Sequence, residues 1–135
     1  MSSNLLVSFK KSLFTNSLVE KGDKIVLAVS GGLDSVILFD LFLKIKNEWN
    51  LKIAICHINH NLRGEEADRD QLFVEKLAEN KHIVLHTQSV DVLAFAKANK
   101  MGIEEAARIL RYRALDALRA KLAYRKIATG HTADD

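Results

Sequence analysis

The sequence predicts an α/β protein with a doubly wound parallel sheet and helices on both faces. Apolar runs of strand length alternate with segments of helix length along the chain, and this alternation is typical of parallel strands joined by covering helices. A glycine turn, Ser-Gly-Gly-Leu-Asp-Ser at residues 30–35, separates the first strand from its helix. Polar loops also follow the second and fourth strands. In such sheets ligands bind beyond the carboxyl ends of the strands, so we expect one site at that edge.

The first half of the chain contains two predicted strands, each followed by a helix. A leading amphipathic helix is predicted over residues 4–20 by apolar side chains at helical spacing: Leu5, Leu6, Phe9, Leu13 and Phe14. A continuous apolar run predicts a buried strand at 24–29, and an uninterrupted helix follows from about Asp34 to Lys46. The second strand is predicted at 51–58. The helix after it, from about Glu65 to Asn80, is expected to bury Leu72, Phe73 and Leu77.

The second half continues the alternation. A short third strand is predicted at 82–88, a helical segment near 91–99, and a long helix from about Ile103 to Leu122. The fourth strand is predicted at 125–130, with residues 131–135 as the loop after it. A doubly wound domain usually closes with a further helix. We therefore expect residues 1–135 to be one partial, C-terminally truncated domain of a longer chain.

Composition excludes several classes of protein. Hydrophobic residues make up 48% of the chain and charged residues 27%, so disorder is not expected, and no apolar run has the roughly 18 residues of a membrane helix. Lys10 and Lys11 interrupt the early apolar stretch, which argues against a secretory signal. Cys56 is the sole cysteine, so no internal disulfide can form, and we expect a cytoplasmic protein. The net charge of +3 allows an anionic ligand or nucleic acid without identifying either.

The glycine turn at residues 30–35 is the most specific signal for a ligand. Gly31 and Gly32 let backbone amides face a ligand, and the helix that follows adds the positive end of its dipole. Ser30 and Ser35 are expected to add hydroxyl donors. Leu33 and Asp34 lie between the two serines, and Asp34 places a carboxylate in the first turn of the helix. The Walker lysine and the Rossmann glycine pattern are both absent. The alternative, an ordinary turn with Ser and Asp capping the helix, does not explain two adjacent glycines, so a phosphate or pyrophosphate site is predicted.

The loop after the second strand is rich in polar side chains. The segment His57-Ile-Asn-His60-Asn-Leu-Arg63-Gly64 could line a nucleotide or nucleic-acid pocket, with Arg63 binding an anion. It is equally compatible with a polar loop that only solvates the next helix. Zinc ligands could also be drawn from this region, but their spacing matches no recurring pattern; the candidates are Cys56, His57, His60 and His131.

The long helix predicted from about Ile103 to Leu122 carries two arginines on one face. Arg108 and Arg111 are three residues apart, so their guanidinium groups could converge on one anion. The alternative is a solvent-exposed face in which Glu104 pairs with Arg108 at i,i+4. Spacing alone favours that alternative, because such pairs are common on exposed helices.

The last loop offers carboxylates for a metal. Gly130 and His131 follow the fourth strand, and Asp134 and Asp135 end the chain. Enzymes that cleave polyphosphates use Mg²⁺ held by one or two carboxylates, and Asp34, Asp134 and Asp135 are the candidates. A solvent-exposed acidic terminus is the alternative.

Four motifs together resemble the catalytic N-terminal domain of the tRNA(Ile)-lysidine synthetase family, within the PP-loop ATP pyrophosphatases of adenine nucleotide alpha hydrolase-like fold. They are S-G-G-L-D-S at 30–35, H-I-N-H-N-L-R-G-E-E-A-D-R-D at 57–70, E-E-A-A-R-I-L-R-Y at 104–112 and A-T-G-H-T-A-D-D at 128–135. The first motif is shared by many PP-loop enzymes, whereas H-x-N-H-x-L-R-G points to the lysidine branch.

The resemblance implies a two-step ligation that uses ATP and Mg²⁺. L-lysine would be joined to C2 of the wobble cytidine, position 34, of a tRNA(Ile) with a CAU anticodon, through an adenylated cytidine, with release of AMP and pyrophosphate. Residues 30–35 would bind the phosphates, Asp34 and Asp135 the metal, and Arg111, with Arg108 less directly, the phosphoryl charge. Backbone near His57 and Gly130 would hold the adenine. Arg63 would face ATP or tRNA, and the oligomeric state stays open, with a homodimer as one option.

Three other functions remain compatible with the residues. Another PP-loop enzyme, such as a tRNA thiolase or an amidotransferase-type synthetase, is one; a thiolase with paired Cys-x-x-Cys ligands is disfavoured by the single cysteine. A nucleotide-binding module would bind ATP without cleaving it. A flavodoxin-like domain would bind FMN and show a flavin spectrum.

Overall fold

A computed structural model describes residues 19–60 and 65–129, apart from the side chains of residues 65–67. Its strands are β1 (Lys24–Ala28), β2 (Lys52–Asn59), β3 (Leu85–Ser89) and β4 (Lys126–Ala128). Its helices are α1 (Leu33–Lys46), α2 (Glu65–Asn80), α3 (Val92–Ala98) and α4 (Ile103–Leu122). Most of the leading helix predicted over 4–20 lies outside the described residues. None of the four helices is long and apolar enough to cross a membrane.

The four strands form one parallel sheet in the order β3-β2-β1-β4. Ile25 of β1 stands between Ile53 of β2 and Lys126 of β4. The chain therefore winds outward from β1 to β3 and then returns to the opposite side of β1. This reversal is the topological switch point, where the carboxyl ends of β1 and β4 diverge. The predicted doubly wound parallel sheet is confirmed.

Alternating side chains of the sheet build two cores. Ile25 and Ile55 belong to the core that α1 and α2 cover, with Phe39 of α1 and Val74 of α2. The neighbouring strand residues Val26 and Cys56 point the other way and pack against α4; the α4 side chains in this second core are Leu115 and Leu118. Helices thus lie on both faces, as predicted.

The apolar stripe predicted for α2 is wrong at two positions. Leu72 and Phe73 are 51% and 47% exposed, whereas Val74 and Ala78 are buried and Leu77 packs partly against the core. Residues 74, 77 and 78 have the i, i+3, i+4 spacing of one helix face. Because each residue rotates the helix by about 100°, Leu72 points away from the face that contains Val74. The rotation of α2 about its axis is set by its contact with the sheet.

The third strand begins later than predicted because the chain first closes α2. His82 has a positive φ of 56°, and the Ile83 amide donates a hydrogen bond to the Ala78 carbonyl at 3.0 Å. Residues 82–84 therefore end the helix, and Val84 is exposed. The strand starts at Leu85 and continues to Ser89, one residue past the prediction.

The entry to β1 is tied to β4 by a buried carboxylate. Asp23 is 5% exposed, accepts a hydrogen bond from the Glu20 amide at 2.7 Å, and pairs with Lys126 Nζ at 2.9 Å. Burial by itself raises the pKa of Asp23, but the Glu20 amide and the charges of Lys126 and Arg125 outweigh it and hold that pKa below its ordinary value. The pair thus fixes the edge strand next to the switch point.

Candidate functional site

The turn after β1 is held in shape by hydrogen bonds among its own residues. The Ser30 amide donates to Ser35 Oγ at 3.1 Å, and the Ser35 hydroxyl donates to the Gly32 carbonyl at 2.9 Å. The Gly32 amide in turn donates to Ser30 Oγ at 3.2 Å. Because the Ser35 proton is already used, the Ser30 hydroxyl is the donor across the 3.2 Å contact between the two Oγ atoms. The hydroxyl of Ser35 is therefore engaged in the turn and is not the free donor that was predicted.

Only one of the two adjacent glycines needs its conformational freedom. Gly31 has φ of +96°, a region that side-chain-bearing residues rarely adopt, whereas Gly32 has an ordinary φ of −76°. A Cβ added at Gly31 would lie 3.5 Å from Cβ of Asp70 on α2, an ordinary contact distance. The turn at Gly31 therefore requires glycine for its backbone angle rather than for lack of space.

The N-terminus of α1 opens directly from this turn. Gly32 is the residue before the helix, and no side chain caps the free amides. The first amides of any helix lack intrahelical partners and carry the positive end of the helix dipole. Asp34 lies exposed in the same first turn. The arrangement suits a phosphate group accompanied by a cation.

A cavity of about 450 Å³ lies beside the turn, at the carboxyl ends of β1, β2 and β4. It is therefore located at the topological switch point. Its lining combines polar and apolar residues from β1, the glycine turn, α1, β2 and α4, together with the residues directly after β2 and β4. The lining residues are Ala28, Val29, Ser30, Gly32, Leu33, Asp34, Ser35, Cys56, Ile58, His60, Arg111 and Thr129.

His57 supports the turn from behind rather than lining this cavity. Its ring is buried, and Nδ1 lies 2.9 Å from the carbonyl oxygen of Val29. Neighbouring residues of a strand point to opposite faces, so His57 faces away from Cys56 and Ile58, which do line the cavity. The structure thus gives His57 a hydrogen bond to the end of β1, directly before Ser30.

Two buried polar atoms in the cavity wall have no hydrogen-bond partner among the residues that the structure describes. They are His60 Nε2, just after β2, and Arg111 Nε, on α4. Burial, and then the positive charges of Arg111 and His57, lower the pKa of His60 from its ordinary value. At neutral pH His60 is therefore an uncharged imidazole beside a guanidinium. The sequence named His60 within a possible nucleotide pocket and as a candidate zinc ligand, but it gave no sign that His60 is near Arg111, because that proximity depends on how α4 packs on the sheet.

The two arginines of α4 do not converge. Arg111 lines the cavity, whereas Arg108, one turn earlier, is exposed and outside it. The structure therefore does not bring Arg108 to the cavity beside Arg111. Four predicted site residues and the anion-binding candidate of the second loop lie outside the described residues: Gly130, His131, Asp134, Asp135 and Arg63.

Cys56 contributes to the apolar part of the cavity. Burial raises the pKa of its thiol to about 11, so the sulfur stays protonated and is neither a nucleophile nor a ready metal ligand at neutral pH. Within residues 19–60 and 65–129 no three His, Cys, Asp or Glu side chains are grouped as metal ligands. Asp34 is the one carboxylate that the described part of the chain brings to the cavity.

The family model described as the PP-loop domain matches residues 3–135. The chain belongs to this family. The matched range includes the glycine turn at residues 30–35, which the sequence predicts to be the PP-loop, and every residue that lines the cavity beside it.

Curated relatives of this PP-loop chain carry one name. A tRNA(Ile)-lysidine synthase of Clostridioides difficile strain 630 is 40% identical over 130 residues, which cover 94% of this chain and 28% of that protein. The synthase of Petrotoga mobilis is 38% identical over 135 residues, covering 97% of this chain and 43% of the relative. The chain thus spans less than half the length of either relative.

A solved structure shares the fold. The U34-tRNA thiolase NcsA from Methanococcus maripaludis, determined with its [4Fe-4S] cluster, superposes with a TM-score of 0.73 over 96% of this chain and 46% of that one. The two sequences are 19% identical. This similarity establishes the PP-loop fold and nothing about the reaction.

Proposed function

We propose that this chain is the ATP-binding catalytic part of a tRNA(Ile)-lysidine synthase. The proposed reaction joins L-lysine to C2 of the wobble cytidine of a tRNA(Ile) with a CAU anticodon and converts ATP into AMP and pyrophosphate. The names of the relatives support this proposal. So does the H-x-N-H-x-L-R-G motif at residues 57–64.

One observation carries the proposal for ATP. The uncapped N-terminus of α1 and the buried Nε of Arg111 border the same cavity, which has an apolar floor formed by Ala28, Cys56 and Ile58. Donors at one end suit phosphates, and the apolar floor suits a nucleoside. The fold places this cavity at the switch point, where doubly wound proteins bind nucleotides.

In the first proposed step, the C2 oxygen of the cytidine attacks the α-phosphorus of ATP. The bond from that phosphorus to the bridging oxygen breaks, and pyrophosphate leaves with the bonding electrons. The amides at the start of α1 would bind the departing phosphates, and Arg111 would stabilise the charge that develops at the α-phosphorus. In the second step the ε-amine of lysine attacks C2, loses a proton and displaces AMP.

The residues also fit a bound Mg²⁺. Asp34 provides an exposed carboxylate beside the helix N-terminus, which is the kind of oxygen ligand Mg²⁺ uses together with substrate phosphates. When bound, the ion would neutralise part of the charge on the phosphate oxygens. Asp134 and Asp135 remain proposed as further ligands from the sequence alone. We also propose that the protein works in the cytoplasm, where ATP, free lysine and tRNA are available together.

A calorimetric titration with ATP, GTP and pyrophosphate, each with Mg²⁺, tests the nucleotide site. We expect saturable binding of ATP and pyrophosphate, weaker binding of GTP, and loss of both in Gly32→Arg, whose side chain would fill the cavity. Incorporation of labelled lysine into a tRNA(Ile) transcript then tests the reaction. ATP binding without cleavage would instead support the binding-module alternative, and sulfur incorporation would support a thiolase.

A further inference from the structure

Two residues of β2 and the residue directly after it form a row along the cavity. Cys56, Ile58 and His60 are two positions apart, so their side chains share the face of β2 that α4 covers. The first two are apolar, and the third is an imidazole. His60 therefore stands at the end of the apolar floor, at the same edge of the sheet as the PP-loop.

Two polar atoms of His60 and Arg111 that are buried without a partner in the described part of the chain reduce the stability of the ligand-free protein. His60 Nε2 and Arg111 Nε are both inaccessible to solvent, and within residues 19–60 and 65–129 neither has a hydrogen-bond partner, although the serines of the neighbouring turn are hydrogen-bonded within it. A buried polar group without a partner destabilises the fold. Two such atoms, contributed by β2 and α4 to one cavity, indicate that a ligand atom completes them.

The chemistry of the pair selects an anionic oxygen. Arg111 Nε can only donate a hydrogen bond, and a neutral His60 with its proton on Nε2 also donates. One oxygen atom can accept both bonds, whereas an amino group of a base cannot. The guanidinium makes no ion pair with a described residue, so its charge also favours an anion.

We infer that His60 and Arg111 together bind a non-bridging oxygen of the α-phosphate of ATP. This inference rests on the proposed function and extends it to a residue with no assigned role. The α-phosphate is the phosphate next to the nucleoside, and the cavity that His60 and Arg111 line is bordered both by the apolar floor and by the turn that would hold the outer phosphates. His60 is then a catalytic residue, since its bond strengthens as charge grows at the reacting phosphorus.

Binding of four probes to one variant tests the assignment. His60→Ala is titrated with ATP, AMP, inorganic pyrophosphate and adenosine, each with Mg²⁺. We expect ATP and AMP to lose about tenfold in affinity, as for one hydrogen bond to a charged group. The affinities for pyrophosphate and adenosine stay within about twofold, because neither molecule contains an α-phosphate. His60→Gln, whose amide can donate near the same place, should recover part of the loss.

Three further measurements distinguish a direct contact between His60 and the phosphate from a structural role of His60. His86→Ala removes a histidine of β3 that does not line the cavity, and it should leave all four affinities unchanged. A double-mutant cycle with Arg111→Lys should give non-additive losses for AMP, because both side chains contact one oxygen. In ¹⁵N spectra of the wild-type chain, AMP but not adenosine should shift Nε2 of His60.

Other results would overturn the His60 assignment, the proposed function, or both, and each can be recognised. Equal losses of pyrophosphate and AMP in His60→Ala would mean that the variant disturbs the turn, and the inference would be wrong. Equal losses of adenosine and AMP would make His60 a nucleoside contact. A wild-type chain that binds neither ATP nor pyrophosphate would reject the proposed function together with the subsite. Phosphate binding without lysine transfer would reject the ligase alone and retain the His60 assignment.

Discussion

The Nδ1 atom of His57 lies 2.9 Å from the carbonyl oxygen of Val29. A carbonyl oxygen can only accept, so Nδ1 carries the proton and donates it. The bond joins β2 to the last residue before the PP-loop and is fully buried. The position of Ser30 and of the turn that it begins therefore depends on a side chain of the neighbouring strand.

Replacing His57 by leucine is expected to destabilise the protein by about 1–3 kcal/mol, because the buried Val29 carbonyl loses its partner. Urea unfolding followed by circular dichroism measures this loss. ATP affinity should fall as well, since the turn loses its support. His86→Leu, at a position away from Val29, is the matched control. Equal stabilities of wild type and His57→Leu would show that the bond does not hold the turn.

The substitution Gly31→Ala should weaken phosphate binding and cost about 1–2 kcal/mol of stability, because a φ of +96° is unfavourable for alanine. The added Cβ meets Asp70 only at ordinary contact distance, so the cost is conformational. Gly102→Ala is the control, since Gly102 has a φ of −69° and open space around its Cβ position. Thermal unfolding and pyrophosphate titration distinguish the two. A Gly31→Ala protein that matched Gly102→Ala would contradict the argument.

Removing the ammonium of Lys126 should be far more harmful than removing an exposed one. Lys126→Met leaves the buried Asp23 carboxylate without its ion pair and should cost about 2 kcal/mol at pH 7. Lys44→Met breaks an exposed i,i+4 pair with Asp40 and should change stability by less than about 0.5 kcal/mol. The comparison is made by denaturant unfolding under identical conditions.

The pH dependence gives this comparison a second readout. The pKa of Asp23 is lowered in the folded protein, so its stabilising contribution is present above the unfolded value of about 3.9 and is lost as pH falls through the folded pKa. Without Lys126 that pKa rises. The difference in unfolding free energy between wild type and Lys126→Met should therefore shrink below about pH 4. A difference that stayed constant with pH would exclude the ion pair as its cause.

His60 should titrate below an ordinary histidine. Its folded pKa is lowered by burial and by the charges of Arg111 and His57, whereas the unfolded imidazole protonates near pH 6.5. Between these values the unfolded chain binds more protons, so stability falls as pH decreases through about 6.5 to the folded pKa. NMR titration of the imidazole should show the lowered pKa, and Arg111→Met should raise it. Arg108→Met, an exposed arginine one turn away, should leave it unchanged.

In the active enzyme, Asp34→Asn should abolish AMP formation, with at least a hundredfold fall in rate, because it removes the proposed metal ligand of α1. Asp40→Asn changes the same residue type on the same helix, where Asp40 only pairs with Lys44, and should retain the wild-type rate. Quench-flow measurement of labelled AMP compares the two. Near-normal turnover in Asp34→Asn would show that Asp34 is not a required metal ligand.

Much of the fold could be predicted because it depends on local pattern. The run at 24–29 is almost continuously apolar, which is typical of a strand that is buried on both faces. The structure places β1 at Lys24–Ala28. The turn at residues 30–35 was predictable because adjacent glycines after a strand have few structural uses. The start of β3 was missed because the positive φ of His82, a non-glycine residue, has no strong sequence signal.

The candidate site was only partly predictable. Asp34 and Arg111 were identified and do line one cavity, while Arg108 was grouped with Arg111 and lies outside it. The i,i+3 spacing shows that two side chains share a helix face. It does not show which part of that face borders the cavity. His60 was named only as a possible pocket or zinc residue, because its proximity to Arg111 depends on α4, some fifty residues later in the chain.

The sequence by itself determined the alternation of strands and helices, the glycine turn at residues 30–35, and the family. Those properties follow from backbone preferences and apolar periodicity, which act over a few neighbouring residues. Only the tertiary structure decided that Val74 rather than Leu72 faces the core and that His60 and Arg111 line the same cavity. Each of these depends on how distant elements pack against one sheet, and packing is a property of the whole chain.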